Sequence, residues 1–450
     1  MVTRATEPEI GEVDFGLPSG DPFARRLFPS LPGSVKWGVG RTERLLAALQ
    51  DPHRSYPVLH VGGTNGKGSV ARIWAEILRA AGFRTGLYTS PHLVSYRERL
   101  LVNGRPLPDD LLEEWSRDLR PLLLREAPSF YEAGTVLALL AMARAQVDVG
   151  VVEVGLGGRL DATNVVDPVL IALTNVGLDH REFLGDDVAT IAREKAGIMK
   201  PGASVFTTCR DRRALKVLGE EAIERGAVLR RVRVPDAEIT MDGLRMRIDT
   251  ERWGPLELAS RLIGRHQVAN IALAVRSLEA LPPRLPVSAA AVREGVLRSR
   301  VPGRLQVENV SGRPWILDIA HNLDAVRAVA ETLDEISPPR PRVGLVGILN
   351  DKDWQGMLQA LVGTLDRFVL TSPAGAPAGR QWDPAAGAAV LPPGVASVVP
   401  DFEAAVREAE DAAGGSGSVV VLGSSYTVGS ALRSLGRVPP EALPVHFESG

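Results

Sequence analysis

Short apolar runs recur along the chain, and each is followed by a stretch in which apolar residues return every three or four positions. Val58–Val61 is followed by Val70–Ala81, and Val149–Val154 is followed later by Val169–Leu173. Runs of four to six β-branched or leucine residues suit strands buried on both faces, and the intervening spacing suits helices packed against them. The alternation predicts an α/β chain with a parallel sheet and helices on both of its faces.

The helical pattern Arg265 to Leu281 ends in Pro282, Pro283 and Pro286. A short helix then leads to Val301-Pro302-Gly303. Proline cannot continue a helix and glycine releases the backbone, so the boundary is placed here, with domains at 1–300 and 301–450. Beyond it the rhythm restarts, with apolar runs at Trp315–Leu317, Val343–Ile348, Phe368–Leu370 and Val419–Leu422. Helical stretches such as Ala325–Glu335 and Phe402–Ala413 separate them, which predicts a second, smaller α/β domain. The segment Val228 to Glu257, with alternating Leu244, Met246 and Ile248, reads instead as antiparallel strands inserted in the first domain.

Composition narrows the function classes. The chain has 450 residues, with 52 Lys and Arg against 54 Asp and Glu. That balance supplies no overall basic field for nucleic acid or an anionic membrane, so an anionic ligand has to be held locally. Cys209 is the single cysteine, which excludes an intrachain disulfide and suits a reducing, cytoplasmic setting. Met1 to Phe15 is acidic and has no apolar core, so it does not read as a signal peptide. The longest apolar run, Val136 to Ala143, is far short of the ~20 residues of a membrane span.

The candidate chemistry begins at Gly63-Thr64-Asn65-Gly66-Lys67-Gly68-Ser69, between an apolar strand and a helix opening with Ser69-Val70-Ala71. Glycines let successive amides curl around phosphate oxygens, the helix N-terminus adds partial positive charge, Lys67 neutralises phosphate and a hydroxyl can ligate Mg²⁺. ATP is the expected ligand. The loop is a variant, since Val61 stands six positions before Lys67, where the strict pattern has glycine, and Gly68 separates Lys67 from Ser69.

Glu153 ends an almost wholly apolar run, where a carboxylate is tolerated if it is paired, hydrogen-bonded or on a metal. A metal ligand and a buried salt bridge are both open to it. His180, just past the next strand, reads alone as a structural histidine more readily than as a ligand. Lys195, at a helix end stopped by Gly197 and Pro201, reads by pattern as a solvated surface lysine. Asp318 ends the strand Trp315–Leu317 at a crevice position. Arg304, beside the linker, is equally a ligand contact or a linker salt bridge.

Together these residues resemble the folylpolyglutamate synthase and dihydrofolate synthase family of the Mur ligase superfamily. The resemblance runs through Gly40–Leu46, the Gly63–Ser69 loop, Thr89-Ser90-Pro91-His92-Leu93, Glu98-Arg99 and Phe130-Tyr131-Glu132. It continues through Glu153–Asn164, Asp179-His180, Glu194–Ile198, Gly264–Asn270, Pro302-Gly303-Arg304, Asp318–Asn322, Asp351-Lys352-Asp353 and Gly423–Tyr426. It implies a P-loop-type parallel-sheet ATPase domain followed by a Rossmann-like C-terminal glutamate ligase domain.

By this similarity Ser69, Glu153 and His180 ligate magnesium, and Lys195 is carbamylated by CO₂ and holds a second magnesium, reversing its reading by pattern. Lys67 and the loop amides hold the ATP phosphates. Asn270 and Arg304 contact ATP, Asp318 contacts the nucleotide and His321 lies near the γ-phosphate; Lys67, Lys195 and His321 form the catalytic set. Thr89, Ser90, Pro91, His92 and Arg99 belong to the substrate loop. The resemblance also implies a monovalent cation and a monomer acting on dihydropteroate or folate, L-glutamate and ATP. Two residues depart from the family pattern: Ile319 where it has glycine and Leu323 where it has proline. A Mur-type ligase adding an amino acid to a UDP-linked muropeptide, and a non-catalytic nucleotide-binding regulator, are the competing readings.

Overall fold

The computed structural model describes residues 21–28 and 38–445. The reading of Met1 to Phe15 therefore lies outside the described residues.

Eight strands form the first sheet: β1 (Val58–Gly62), β2 (Thr85–Tyr88), β3 (Leu100–Val102), β4 (Arg105–Pro106), β5 (Val149–Glu153), β6 (Pro168–Leu173), β7 (Ser204–Thr207) and β8 (Val228–Arg231). Their order is β4-β3-β2-β5-β1-β6-β7-β8. Only the β2–β3 and β3–β4 pairings are antiparallel. Every residue of β1 and β5 is buried, as expected of strands covered on both faces. Val58 and Leu59 are neighbours in β1 yet pack into different apolar clusters, one on each side of the sheet. The central register sets Val61 beside Glu153 and Gly62 beside Leu173. The C-terminal ends of β5, β1 and β6 thereby converge at the place where a doubly wound sheet opens its ligand crevice.

The helix after β1 spans Lys67–Ala80. It starts two residues before the expected Ser69, because Gly66 takes the left-handed conformation (φ 87°) that ends the loop. Its inner face carries Ile73, Trp74 and Ile77, all solvent-free. The Trp74 indole donates to Ala274 O (3.1 Å) and Ser277 Oγ (3.0 Å), tying this helix to Arg265–Leu278. Emptying that site would cost about 3–5 kcal/mol.

The segment 228–260 divides in a way the alternation did not reveal. Val228–Arg231 is not antiparallel; it extends the main sheet as parallel edge strand β8, pairing Ser204 with Val228. Its residues are mostly exposed, so hydrogen bonds to β7, and no burial periodicity, place it there. The antiparallel insert is β9 (Ala237–Thr240), β10 (Gly243–Thr250) and β11 (Gly254–Ser260), where Leu244, Met246 and Ile248 do face inward.

The third sheet contains β12 (Gln306–Val310), β13 (Arg313–Leu317), β14 (Arg342–Val346), β15 (Arg367–Leu370), β16 (Ala396–Val398) and β17 (Ser418–Leu422). Its order is β12-β13-β17-β14-β15-β16, parallel except for the β12–β13 hairpin. Past the helix Ser425–Ser434 the chain returns to the first sheet, where Glu441 pairs with Arg72 (3.6 Å) and Val445 O accepts from Asp109 N (3.1 Å). Among the described residues no helix is long and apolar enough to cross a membrane.

Candidate functional site

The glycine-rich loop is wired to the end of β6. Thr64 N donates to Asn175 O (2.9 Å), Asn65 N to Asn175 Oδ1 (2.8 Å), and Thr174 Oγ1 to Asn65 O (2.7 Å). Gly63 (φ 137°) and Gly66 (φ 87°) have backbone angles that L side chains rarely adopt. A Cβ at Gly63 would lie 1.9 Å from Thr174 Oγ1, and one at Gly66 2.4 Å from Asn270 Oδ1. Lys67 Nζ donates to Thr64 O (3.1 Å), folding the lysine back over the loop. Ser69 is buried, and its Oγ accepts from Gln267 Nε2 (3.3 Å).

Glu153, 4% exposed, accepts from Ser90 N at 2.9 Å. On its other side, a Cβ at Gly68 would sit only 3.4 Å from Glu153 Oε2, so the loop passes the carboxylate closely. Burial pushes this acid above the ordinary carboxylate range; the charge of Lys67 and the Ser90 amide act against that. No ion pair holds Glu153 among the described residues, so the buried salt bridge open to it in the sequence is not formed.

Lys195 departs from its reading by pattern: it is 4% exposed and donates to Gly63 O at 3.0 Å. The helix Val188–Ala196 ends against the phosphate loop, and that packing, invisible in local sequence, turns the lysine inward. Burial, and then the charge of Lys67, hold its amine down at about 7.

His180 caps a short helix with φ 51°, and burial, partly offset by Asp179, lowers its imidazole to about 3. Asp179 is held below the ordinary carboxylate range. Burial opposes this, but the hydrogen bond from His321 and the charge of Lys352 outweigh burial. Asp318 accepts from the amides of Leu305 and Ala320 (both 2.8 Å), which ties the residue before β12 to the turn that follows β13. Arg304 makes no ion pair among the described residues, so the linker salt bridge is not formed.

Two hollows flank this machinery. A cleft of about 960 Å³ is lined by Asn65, Gly66, Ser69, Asn270, Arg304 and Asp318, bringing together six of the expected nucleotide contacts. A second cavity of about 330 Å³ takes Ser90, Pro91, His92 and Arg99 from the substrate loop, with Phe130 and Tyr131. Thr89 is buried behind it and donates through its backbone to Arg99 O (2.9 Å). His180 and His321 face this second cavity, as do Lys352 and Arg433. Arg99 Nε donates to His92 Nδ1 (2.8 Å), and its guanidinium lies 5.4 Å from the Phe130 ring centre.

The two departures from the family pattern are absorbed locally. Ile319 donates its backbone amide to Gly303 O (2.9 Å), and its side chain is buried at the linker beside Leu93 and Val428. Leu323 is the first helical residue after Asn322, whose side chain caps Ala325 N (2.9 Å), so the helix starts without proline.

Among the described residues no three His, Cys, Asp or Glu side chains gather as a metal cage. Mg²⁺ is ordinarily held by one or two carboxylates together with phosphate oxygens and water. A buried carboxylate at Glu153 pressed against a phosphate-type loop, with a hydroxyl at Ser69, fits a magnesium nucleotide. Sequence reasoning gave no role to Asn175, Gln267, Asp179 or Lys352. Asn175 was detectable as a polar residue two positions after strand β6, and Lys352 as a lysine between two aspartates.

Residues 61–278 match the Mur ligase middle domain, and residues 303–425 match the Mur ligase, glutamate ligase domain. The chain is 32% identical over 487 residues to the dihydrofolate synthase/folylpolyglutamate synthase of Mycobacterium tuberculosis, covering 97% of this chain and 99% of that protein. It is 38% identical over 348 residues to a probable bifunctional folylpolyglutamate synthase/dihydropteroate synthase of Haloferax volcanii, covering 73% of this chain but spanning only 40% of that protein. The M. tuberculosis folylpolyglutamate synthase complexed with ADP and AMPPCP superposes with a TM-score of 0.83 at 33% identity, covering 89% of this chain and 96% of that one. E. coli FolC in complex with DHPP and ADP gives 0.83 at 30% identity, covering 93% and 98%.

Proposed function

Since the chain belongs to the folylpolyglutamate synthase/dihydrofolate synthase family of Mur ligases, we propose that it adds L-glutamate to dihydropteroate, to reduced folate (poly)glutamates, or to both. It is an ATP-dependent carbon–nitrogen ligase of folate metabolism. One observation supports the assignment of parts most directly: Glu153 accepts from Ser90 of the apolar cavity and leaves room for no more than a Cβ between itself and Gly68 of the phosphate loop. An acceptor carboxylate in that cavity and a nucleotide on the loop would meet at this residue.

A carboxylate is a poor acyl donor, so the γ-phosphoryl group of ATP is transferred to it first, giving an acyl phosphate and ADP. The glutamate amine then attacks the acyl carbon and expels phosphate. Lys67 and the loop amides hold the transferring phosphoryl group and offset its charge. Asn270, Arg304 and Asp318 orient the nucleotide, and His321 sits on the cavity side of the transfer. Ser90, Pro91, His92 and Arg99, with Phe130 and Tyr131, hold the acceptor and exclude water from the acyl phosphate. Ser69, Glu153, His180 and carbamylated Lys195 would hold two Mg²⁺, whose charge favours phosphoryl transfer. A monovalent cation belongs to the same reading. The domains are 1–300 for ATP and 301–450 for glutamate, in a cytoplasmic monomer.

The test is ADP release by purified protein with glutamate, offered dihydropteroate in one tube, a reduced monoglutamyl folate in another and a UDP-muropeptide in a third. Release with either supports the reading and names the acceptor. Release only with a UDP-muropeptide would make it a peptidoglycan-type ligase, and release with none would leave a nucleotide-binding regulator.

A further inference from the structure

Asp179 leaves β6 on the segment that carries the phosphate loop, because Thr64 Oγ1 and the Gly177 backbone bond each other (3.2 and 3.0 Å). Besides the neighbouring His180, whose amide donates to Oδ1 (2.9 Å) and whose ring lies 3.9 Å from Oδ2, its partners come from the other sheet. Asn322 Nδ2 donates to Asp179 Oδ2 (3.1 Å), Lys352 Nζ lies 3.3 Å from Oδ1, and His321 Nε2 is 3.6 Å from Oδ2. Asn322 and Asn65 exchange amide hydrogen bonds, Asn322 Nδ2 to Asn65 Oδ1 at 3.1 Å and Asn65 Nδ2 to Asn322 Oδ1 at 3.3 Å. Both amide protons of Asn322 are thus used, one on the phosphate loop and one on Asp179.

The Asp179 and Lys352 side chains are 9% and 8% exposed. Separating the sheets would take Lys352, Asn322 and His321 from the buried Asp179 together, whereas Lys352 would keep Asp351 at 3.5 Å, so it is the aspartate that favours the closed arrangement. His321 and Lys352 line the acceptor cavity. We propose that Asp179 is a positioning residue that docks the C-terminal sheet onto the phosphate-loop sheet, and that this docking carries His321 and Lys352 to the acceptor. Asp179 touches neither nucleotide nor acceptor in this role. The role rests on the ligase reading for its consequence in turnover, and on geometry alone for the docking itself.

Asp179→Asn keeps the size of the side chain and removes its charge. In the wild-type background it should lower kcat by ~10–100-fold with KM for the acceptor little changed, because a displacement of about 1 Å at the reacting groups is enough for such a loss. Small-angle scattering of the complex with AMPPCP and Mg²⁺ should give a larger radius of gyration than wild type, and the thermal midpoint of the free protein should fall, since Lys352 loses a buried partner. Lys352→Met, used in the scattering measurement only, should enlarge the radius similarly and decides the matter if Asp179→Asn does not fold. An unchanged radius in the folded variants overturns the proposal, whatever happens to kcat. A wild-type protein that forms no amide, but whose radius depends on Asp179, would sink the ligase reading and leave the docking role standing.

Discussion

The amine of Lys195 donates to the carbonyl of Gly63, 3.0 Å away, so a lysine from a distant helix is pinned beneath the phosphate loop. With its amine held at about 7, chiefly by burial, a large neutral fraction exists near neutrality. Only the neutral amine adds CO₂. Lys195→Ala should therefore slow phosphoryl transfer severely, and Lys195→Arg should do no better, because a guanidinium keeps its charge and forms no carbamate. Lys195→Glu should regain part of the activity. Full turnover in Lys195→Arg would sink the carbamate role.

Lys67→Ala should lose at least ~10²-fold in turnover, since it removes charge stabilisation of a few kcal/mol at the phosphoryl group. Its circular dichroism and thermal midpoint should match wild type, because among the described residues the Lys67 ammonium hydrogen-bonds the Thr64 carbonyl alone. Near-normal steady-state rates would remove it from the mechanism.

Turnover should yield ADP and phosphate in step with amide, and hydroxylamine should trap the acyl phosphate as a hydroxamate. Chromatography of the nucleotide products checks this directly. AMP and pyrophosphate would mean that the chemistry occurs at the α-phosphorus.

Acid should weaken the fold through His60. This solvent-free imidazole meets Thr163 Oγ1 at 2.9 Å, and burial lowers it from 6.5 to about 3. Between those values the unfolded chain binds a proton that the folded chain refuses. Stability contributed by the neutral imidazole is complete above 6.5 and is lost as pH falls, by about 2 kcal/mol at pH 5 for this one group. Urea midpoints at pH 7.5 and 5 should converge in His60→Gln; an unchanged gap would exclude His60 as a source.

Gly295→Ala should destabilise by ~1–3 kcal/mol, as overpacking does. Its Cβ would lie 2.4 Å from Ile77 Cα, backbone that cannot step aside. Gly219→Ala, in the helix Arg212–Glu224 with nothing within 4 Å, should instead stabilise by up to ~1 kcal/mol. Equal denaturation midpoints for the two variants would refute this packing argument.

The parts legible in sequence were those that local pattern encodes. β1, β5 and β6 are buried on both faces and read as continuous apolar runs, and the phosphate loop announces itself by glycine spacing. Lys195 and β8 were misread from pattern for one reason: their environment is supplied by chain far away. A helical lysine looks alike whether its helix ends in water or against Gly63, and a four-residue strand with three exposed positions carries no signal of which edge it joins. Asp179 was noticed only as part of a motif, because its partners lie some 140 and 170 positions on, at Asn322 and Lys352.

The return of the chain to the first sheet, through Arg72–Glu441 and Asp109–Val445, changes how the two sheets can move. A body on one flexible linker can turn about three axes and must search orientations. The C-terminal sheet leaves near residue 300 and is tied again beyond residue 437, so when the Asp179 contacts open it is suspended at two points. Rotation about the line joining them is then the soft motion, and the other two are stiffened. If that sheet carries the glutamate as proposed, each approach to the acyl phosphate would retrace nearly the same arc, and encounter would be a matter of timing instead of aim.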